Sequence, residues 1–253
     1  MKNELAPALL GALVVGAVAL GTPTSTADAD EDLSGRWVMV QVATTVADVP
    51  VIGEVYAQSR LITIHDLDHD GERLHGGGQI CHLEIDSGSS VVETKLPAAF
   101  VRSLPEPEVD ARVFVKDGRL ELRQKKRPVV VGAELKKPKR ERLPRDKDDE
   151  RVRDTDGDGH PGVTIEIEGL VNGKIFVVQR SWTRLAGNKR VDGSFAGRLS
   201  FNNEQSILDA TSSMLETAPE TKPVPSRSWF RMAELPKGAS CEDAIAKAEP
   251  WLP

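Results

Sequence analysis

Val163-Thr164-Ile165-Glu166-Ile167-Glu168-Gly169-Leu170-Val171-Asn172-Gly173-Lys174-Ile175-Phe176-Val177-Val178-Gln179-Arg180-Ser181-Trp182 decides the fold class. From Val163 to Glu168 apolar and polar residues alternate, the pattern of a strand with one wet face, carrying Glu166 and Glu168. Asn172-Gly173 is a turn signal of type I′, and the apolar run from Lys174 to Trp182 pairs back as a second strand. Further strands read out along the chain. They lie at Gly35–Ala43, Arg60–His65, Gln79–Ile85, Val91–Leu96, Val113–Lys116 with Arg119–Leu122, Arg190–Phe201 and Ser228–Ala233. Asp117-Gly118 marks a hairpin between two of them, and Asp70-Gly71 marks another. A short helix is expected after Pro97, and a terminal helix at 241–247 is capped by Ser240. Residues 205–216 fit either a helix stripe or a strand. The expectation is a mainly β chain, an antiparallel up-and-down barrel with a short C-terminal helix, with a β-sandwich as the alternative.

Immediately upstream of the meander stands Asp154-Thr155-Asp156-Gly157-Asp158-Gly159-His160-Pro161-Gly162. Calcium takes six to eight oxygens at about 2.3–2.6 Å, and a tight loop delivers them from alternate carboxylates, with glycine at the sharp turn. Asp154, Asp156 and Asp158 hold positions 1, 3 and 5, Gly159 holds position 6, and His160 offers a backbone carbonyl at position 7. This stretch resembles the loops of EF-hands, dockerins and thrombospondin type 3 repeats. It departs from the EF-hand at position 12, where the bidentate Glu is replaced by Ile165, and at position 9, which is Gly162. Glu166, Asp148 or Asp149 upstream, or water must then complete the coordination, and the affinity expected is of the extracellular kind, about 10⁻⁴–10⁻³ M. A second string, Asp66-Leu67-Asp68-His69-Asp70-Gly71, offers Asp66, Asp68 and Asp70 as a weaker site, although hairpin-turn chemistry accounts for it. Four of the five histidines, His65, His69, His75 and His82, lie in this part of the chain. A strand-borne zinc pair would need His65 beside His75, and core or solvated histidines are the preferred reading.

Export is written into the N-terminus. Lys2 precedes an apolar run from Leu5 to Leu20, and Ala27-Asp28-Ala29 offers a cleavage site, so residues 1–29 read as a signal peptide. The expected destination is the periplasm or the extracellular space, with no stable membrane anchor once the peptide is removed. In an oxidising compartment the only two cysteines, Cys81 and Cys241, are expected to pair. Residues 30–253 read as a single β-rich domain of 39% hydrophobic sequence overall, interrupted by a basic, Pro-broken connector at about 123–153. The formal charge of −6 argues against nucleic acid as a partner for the whole chain. Locally, the basic connector could meet an anionic surface polymer such as lipopolysaccharide, although a solvated connector also accounts for it.

Gly35-Arg36-Trp37 opening the first strand resembles the G-x-W start of lipocalins and other calycins. That resemblance implies an up-and-down barrel able to bind a small apolar ligand. It also implies an arginine from near the last strand, Arg227 or Arg231, packed over Trp37, and a disulfide from the C-terminal segment to the barrel. The second lipocalin motif, T-D-Y, is absent. The Asp-rich loop followed by Pro161-Gly162-Val163-Thr164 also looks like uncharacterised exported proteins of Gram-negative bacteria, which implies no activity. No G-x-S-x-G, H-E-x-x-H or phosphate-cradling glycine loop occurs. The functional expectation is therefore a non-catalytic exported calcium-binding β protein. The alternatives are a lipocalin-like binder of a small apolar ligand and a secreted hydrolase without a recognisable motif.

Overall fold

A computed structural model describes residues 31–49, 53–88, 92–217 and 220–252. The expected signal peptide lies outside them. Twelve strands and two α-helices follow in order: β1 Gly35–Val49, β2 Gly53–Asp70, β3 Arg73–Asp86, β4 Val92–Lys95, α1 Ala98–Ser103, β5 Glu108–Lys116, β6 Arg119–Gln124, β7 Arg127–Val131, β8 Val163–Gly169, β9 Gly173–Lys189, β10 Phe195–Ala210, β11 Thr221–Pro223, β12 Trp229–Leu235 and α2 Cys241–Ala248. Among the described residues every strand pair is antiparallel. The fold class read from the sequence is borne out: mainly antiparallel β with a short C-terminal helix.

The pairing order runs β10-β12-β1-β2-β3-β5-β6-β9, and β10 pairs back to β9, so these strands form a ring of neighbours. Two seams of the ring are narrow: Glu121–Arg123 against Ala186–Asn188, and Phe195–Arg198 against Trp229–Met232. Its interior is occupied by the chain's own side chains, among them Trp37, Met39, Leu74, Leu122, Leu185, Phe195, Leu199, Phe230 and Met232, none more than 4% exposed. Trp37 packs 6.1 Å from Phe195 and donates its indole N–H to the Leu33 carbonyl at 2.9 Å. The arginines implied by the lipocalin resemblance lie elsewhere: Arg227 over Tyr56 and Arg231 over Trp251.

On the outer face of β1 and β2, Val38, Val40, Val42, Ile62 and Ile64 form a second core, which α2 covers with Ala244 and Ala248. Ser240 and Asp243 make a reciprocal capping box at the start of that helix. The Cys81–Cys241 disulfide is present, tying the first residue of α2 to β3 across 160 residues of sequence. A third core lies beyond the ring, where the first half of β9 pairs with β8 and β7, and β4 pairs with β8. Phe100 of α1 packs there against Val131, Val163, Ile165, Ile175 and Val177.

Several strands are longer than sequence patterning suggests. β9 and β10 run unbroken through Gly187 and Gly197, which are cross-strand partners. A Cβ on Gly197 would lie 2.3 Å from the Gly187 Cα, and one on Gly187 would lie 2.8 Å from the Phe230 ring, so the pair makes room for that ring. Residues 205–210 are strand. Asn172-Gly173 is not a two-residue turn: β8 ends at Gly169, and Asn172 closes a longer loop with side-chain bonds to the Gly169 N–H and carbonyl. The connector is not a free solvated segment either. After β7 it forms a loop whose ends meet through Glu134 N–H to the Arg151 carbonyl and Arg153 N–H to the Gly132 carbonyl. Leu135 and Leu143 bury it against Val178.

His65 is a core histidine. It faces Trp37 and Gly78 across neighbouring strands, is 2% exposed, and pairs its Nε2 with the Thr63 hydroxyl at 2.8 Å. His75 stands opposite Asp68 instead, so the register forms no His65–His75 pair. Burial lowers the His65 imidazole from 6.5 to about 4, against the opposing pull of the Asp66 charge. The unfolded chain therefore takes up a proton that the folded chain refuses. The stability this neutral group contributes is present above pH 6.5 and is lost as the pH falls towards 4. The loss expected is about 3 kcal/mol. Urea unfolding at neutral pH and near pH 4.5 should show the parent losing more stability than His65→Gln. Equal losses in the two proteins would contradict this assignment.

Candidate metal centre

The loop at 154–162 is held at both ends by backbone. Thr155 N–H donates to the Gly162 carbonyl at 3.1 Å, and Gly132 N–H donates to the Thr155 hydroxyl at 3.2 Å. Gly157, Gly159 and Gly162 all have positive φ, which lets the chain curl around Asp154. The Asp154 carboxylate accepts from the N–H groups of Gly157 at 2.7 Å, Asp158 at 3.2 Å and Gly159 at 2.9 Å. Asp158 accepts from His160 N–H at 2.9 Å and from the Thr164 hydroxyl at 2.5 Å. Asp156 accepts from Thr164 N–H at 2.8 Å through Oδ2. Its Oδ1 is closed off from solvent and accepts no hydrogen bond.

This curl brings one carboxylate oxygen from each of Asp154, Asp156 and Asp158 to within 4.8 Å of the others. That spacing is about twice a calcium–oxygen bond, so a single cation can touch all three. The cluster could hold a metal ion. Burial, together with the neighbouring Asp158 charge, raises the Asp156 carboxyl above its ordinary value in spite of the Thr164 N–H. For Asp158 burial pushes upward, but the Thr164 hydroxyl, the His160 N–H and nearby positive charge outweigh it, and the net direction is down. A cation would favour the ionised form of both.

Of the other expected ligands, Glu166 is not brought to this cluster. It points to the wet face of β8 and pairs with Lys174 at 3.1 Å. Asp148 is also outside the cluster: it lies exposed in the basic loop, where its N–H bonds Asp146. The His160 ring stacks on Phe176 at 4.2 Å, which fixes the residue whose carbonyl was expected at position 7. Ile165, in place of the position-12 glutamate, is 6% exposed in the third core. Thr164 was missed by the sequence reading. A search for carboxylates passes over a threonine that serves the loop through both its N–H and its hydroxyl; the signal was its place beside Val163 at the start of the strand.

The second string does not gather. Asp66, Asp68 and Asp70 belong to extended β2, where alternate residues share a face but stand about 7 Å apart. Asp66 is instead held by both oxygens on Arg36, at 2.9 and 2.8 Å. The turn falls on Gly71-Glu72, so the aspartates are strand residues and form no loop to curl round an ion. Comparison with protein-family models, curated proteins and solved structures gave no match to this chain.

Proposed function

We propose that the chain is a non-catalytic, exported β protein that binds calcium at Asp154, Asp156 and Asp158, the ion fixing the loop that leads into β8. The observation that carries this reading is the convergence of one carboxylate oxygen from each of the three aspartates within 4.8 Å, together with a buried Asp156 Oδ1 that accepts no hydrogen bond. All-oxygen donors favour a hard cation, and a glycine-rich loop open to water suits calcium more than a rigid octahedral magnesium site. Water or the His160 carbonyl supplies the remaining ligands. The side chains that fill the ring favour this reading over capture of a small apolar ligand inside it.

Thermal melts test it. At ~10 mM calcium an affinity of about 10⁻⁴–10⁻³ M contributes about 1.4–2.7 kcal/mol, a rise of about 3–10 °C over chelator-treated protein. Asp156→Asn separates the two charge states of the loop. In chelator it should melt no lower than the parent, because it removes a carboxylate that burial and Asp158 already disfavour. In calcium it should lose most of the rise. A parent melt that is the same in calcium and chelator sinks the proposal.

A further inference from the structure

The basic loop carries a second, separate feature. Across residues 136–145 stand six cations, Lys136, Lys137, Lys139, Arg140, Arg142 and Arg145, against the single carboxylate of Glu141, in a chain whose formal charge is −6. All six are exposed. The ion pairs around this loop use other residues: Lys147 with Asp209, Arg151 with Asp149, Arg153 with Glu134. Among the described residues none of the six is ion-paired, and Glu141 is occupied by the Lys137 N–H at 2.8 Å.

The backbone that carries these cations is clamped. Arg180 of β9 donates to the Pro138 carbonyl at 2.8 Å and the Glu141 carbonyl at 2.6 Å, and is itself held by Glu204. Arg151 donates to the Arg142 carbonyl at 3.0 Å. Arg140 and Glu141 close a turn on the Lys137 carbonyl. Leu135 and Leu143 anchor both sides of the tip in the core. Two arginines are thus spent on carbonyls beneath the tip while the six cations above it are left to solvent. Like charges crowded this way repel, and a fixed scaffold that holds them together lowers the ordering cost of meeting an anion.

We propose that this tip is a docking surface for an anionic polysaccharide, engaging its sulfate or uronate groups. Three observations favour that class. The disulfide fits an oxidising compartment, where nucleic acid is not the usual polyanion. Residues 136–145 contain no aromatic side chain on which a base could stack. They also expose no large apolar side chain to enter a membrane, since Leu143 is 6% exposed.

The test is binding of the protein to immobilised heparin and to polygalacturonate, which separate sulfate from carboxylate recognition. Duplex DNA and phosphatidylglycerol vesicles run in parallel. The expected result is salt-sensitive binding to at least one polysaccharide. Lys136→Ser combined with Lys137→Ser, Lys139→Ser and Arg140→Ser should weaken it about tenfold or more, with the melting temperature unchanged because all four side chains are exposed. A control variant, Arg73→Ser with Arg112→Ser on the ring, should bind as the parent does. Polysaccharide binding that survives the fourfold variant, binding lost equally in the control, or binding to DNA or vesicles alone would overturn the proposal.

Discussion

Removing the disulfide by Cys81→Ala with Cys241→Ala is expected to lower the melting temperature by about 5–15 °C. The bridge closes a loop of 160 residues, and cross-links over long loops stabilise by about 2–5 kcal/mol, chiefly by restricting the unfolded chain. The native state suffers too, because the bridge enters α2 at its first residue. That eight-residue helix is too short to persist without the packing of Ala244 and Ala248 on the β1–β2 face. Hydrogen exchange should therefore quicken first in α2 of the double variant, ahead of β1 and β2. Differential scanning calorimetry provides the primary measurement, and a melting temperature within a degree or so of the parent contradicts the expected contribution.

Gly162→Ala is expected to be nearly as damaging, at about 2–4 kcal/mol. Gly162 has φ of +87°, and a Cβ there would stand 2.3 Å from the Val177 carbonyl oxygen and 2.9 Å from its carbon. Those are backbone atoms of β9, so relief requires the loop to lift off the sheet. Gly132 approaches the same carbonyl, with a Cβ distance of 2.6 Å and the Gly162 Cα only 3.0 Å from that Cβ, so the aspartate loop and the base of the basic loop are seated together on one strand. Gly157→Ala is the control. Its φ of +72° carries a similar conformational penalty, but no atom lies within 4 Å of the added methyl. It should cost only about 1–2 kcal/mol. Chemical denaturation of both variants gives the comparison, and equal losses would mean that the contact with Val177 is not what demands glycine at 162.

The strands were legible wherever apolar alternation was unbroken, as in Val163–Glu168, or where a turn residue was obligatory, as at Asp117-Gly118, both of which have positive φ. They were under-read where glycine or polar residues run through a strand. Gly76, Gly77 and Gly78 precede the strand expected at Gln79–Ile85, yet they lie in β3 paired against Leu67, Asp66 and His65. A Cβ on Gly78 would sit 1.9 Å from the Ile64 carbonyl, a closeness that only the paired backbone reveals. The closing of the strands into a ring was implied by the G-x-W start but not the manner of it, because β12 lies beside β1 only once the chain returns from its far end.

At the candidate metal centre the three aspartates were readable because alternate carboxylates interleaved with glycines mark a loop that can gather them. The supports around them were not. Gly132 and Phe176 reach the loop through tertiary contacts that no local pattern announces, and Thr164 serves it from the start of the next strand, where a search for carboxylates passes it over. Glu166 was nominated by nearness in sequence and turned away by strand alternation, which sets it on the face with Lys174. The aspartates of β2 carry nearly the same string, yet differ in one physical respect. At Asp154 the backbone N–H groups of Gly157, Asp158 and Gly159 fold onto the first carboxylate, whereas in β2 pairing to β1 and β3 keeps the chain extended.

The most direct test is a calcium titration of chelator-treated protein followed by the amide resonances of Gly157, Gly159 and Thr164, whose N–H groups bond the Asp154 and Asp156 carboxylates. The expected result is one saturable set of shifts at these residues, with a dissociation constant of about 10⁻⁴–10⁻³ M. Asp154→Ala should abolish it, and the Asp66, Asp68 and Asp70 region should stay silent. Resonances that do not move through ~20 mM calcium, some twenty times the weakest affinity expected, or shifts that persist in Asp154→Ala, would contradict calcium binding at this loop.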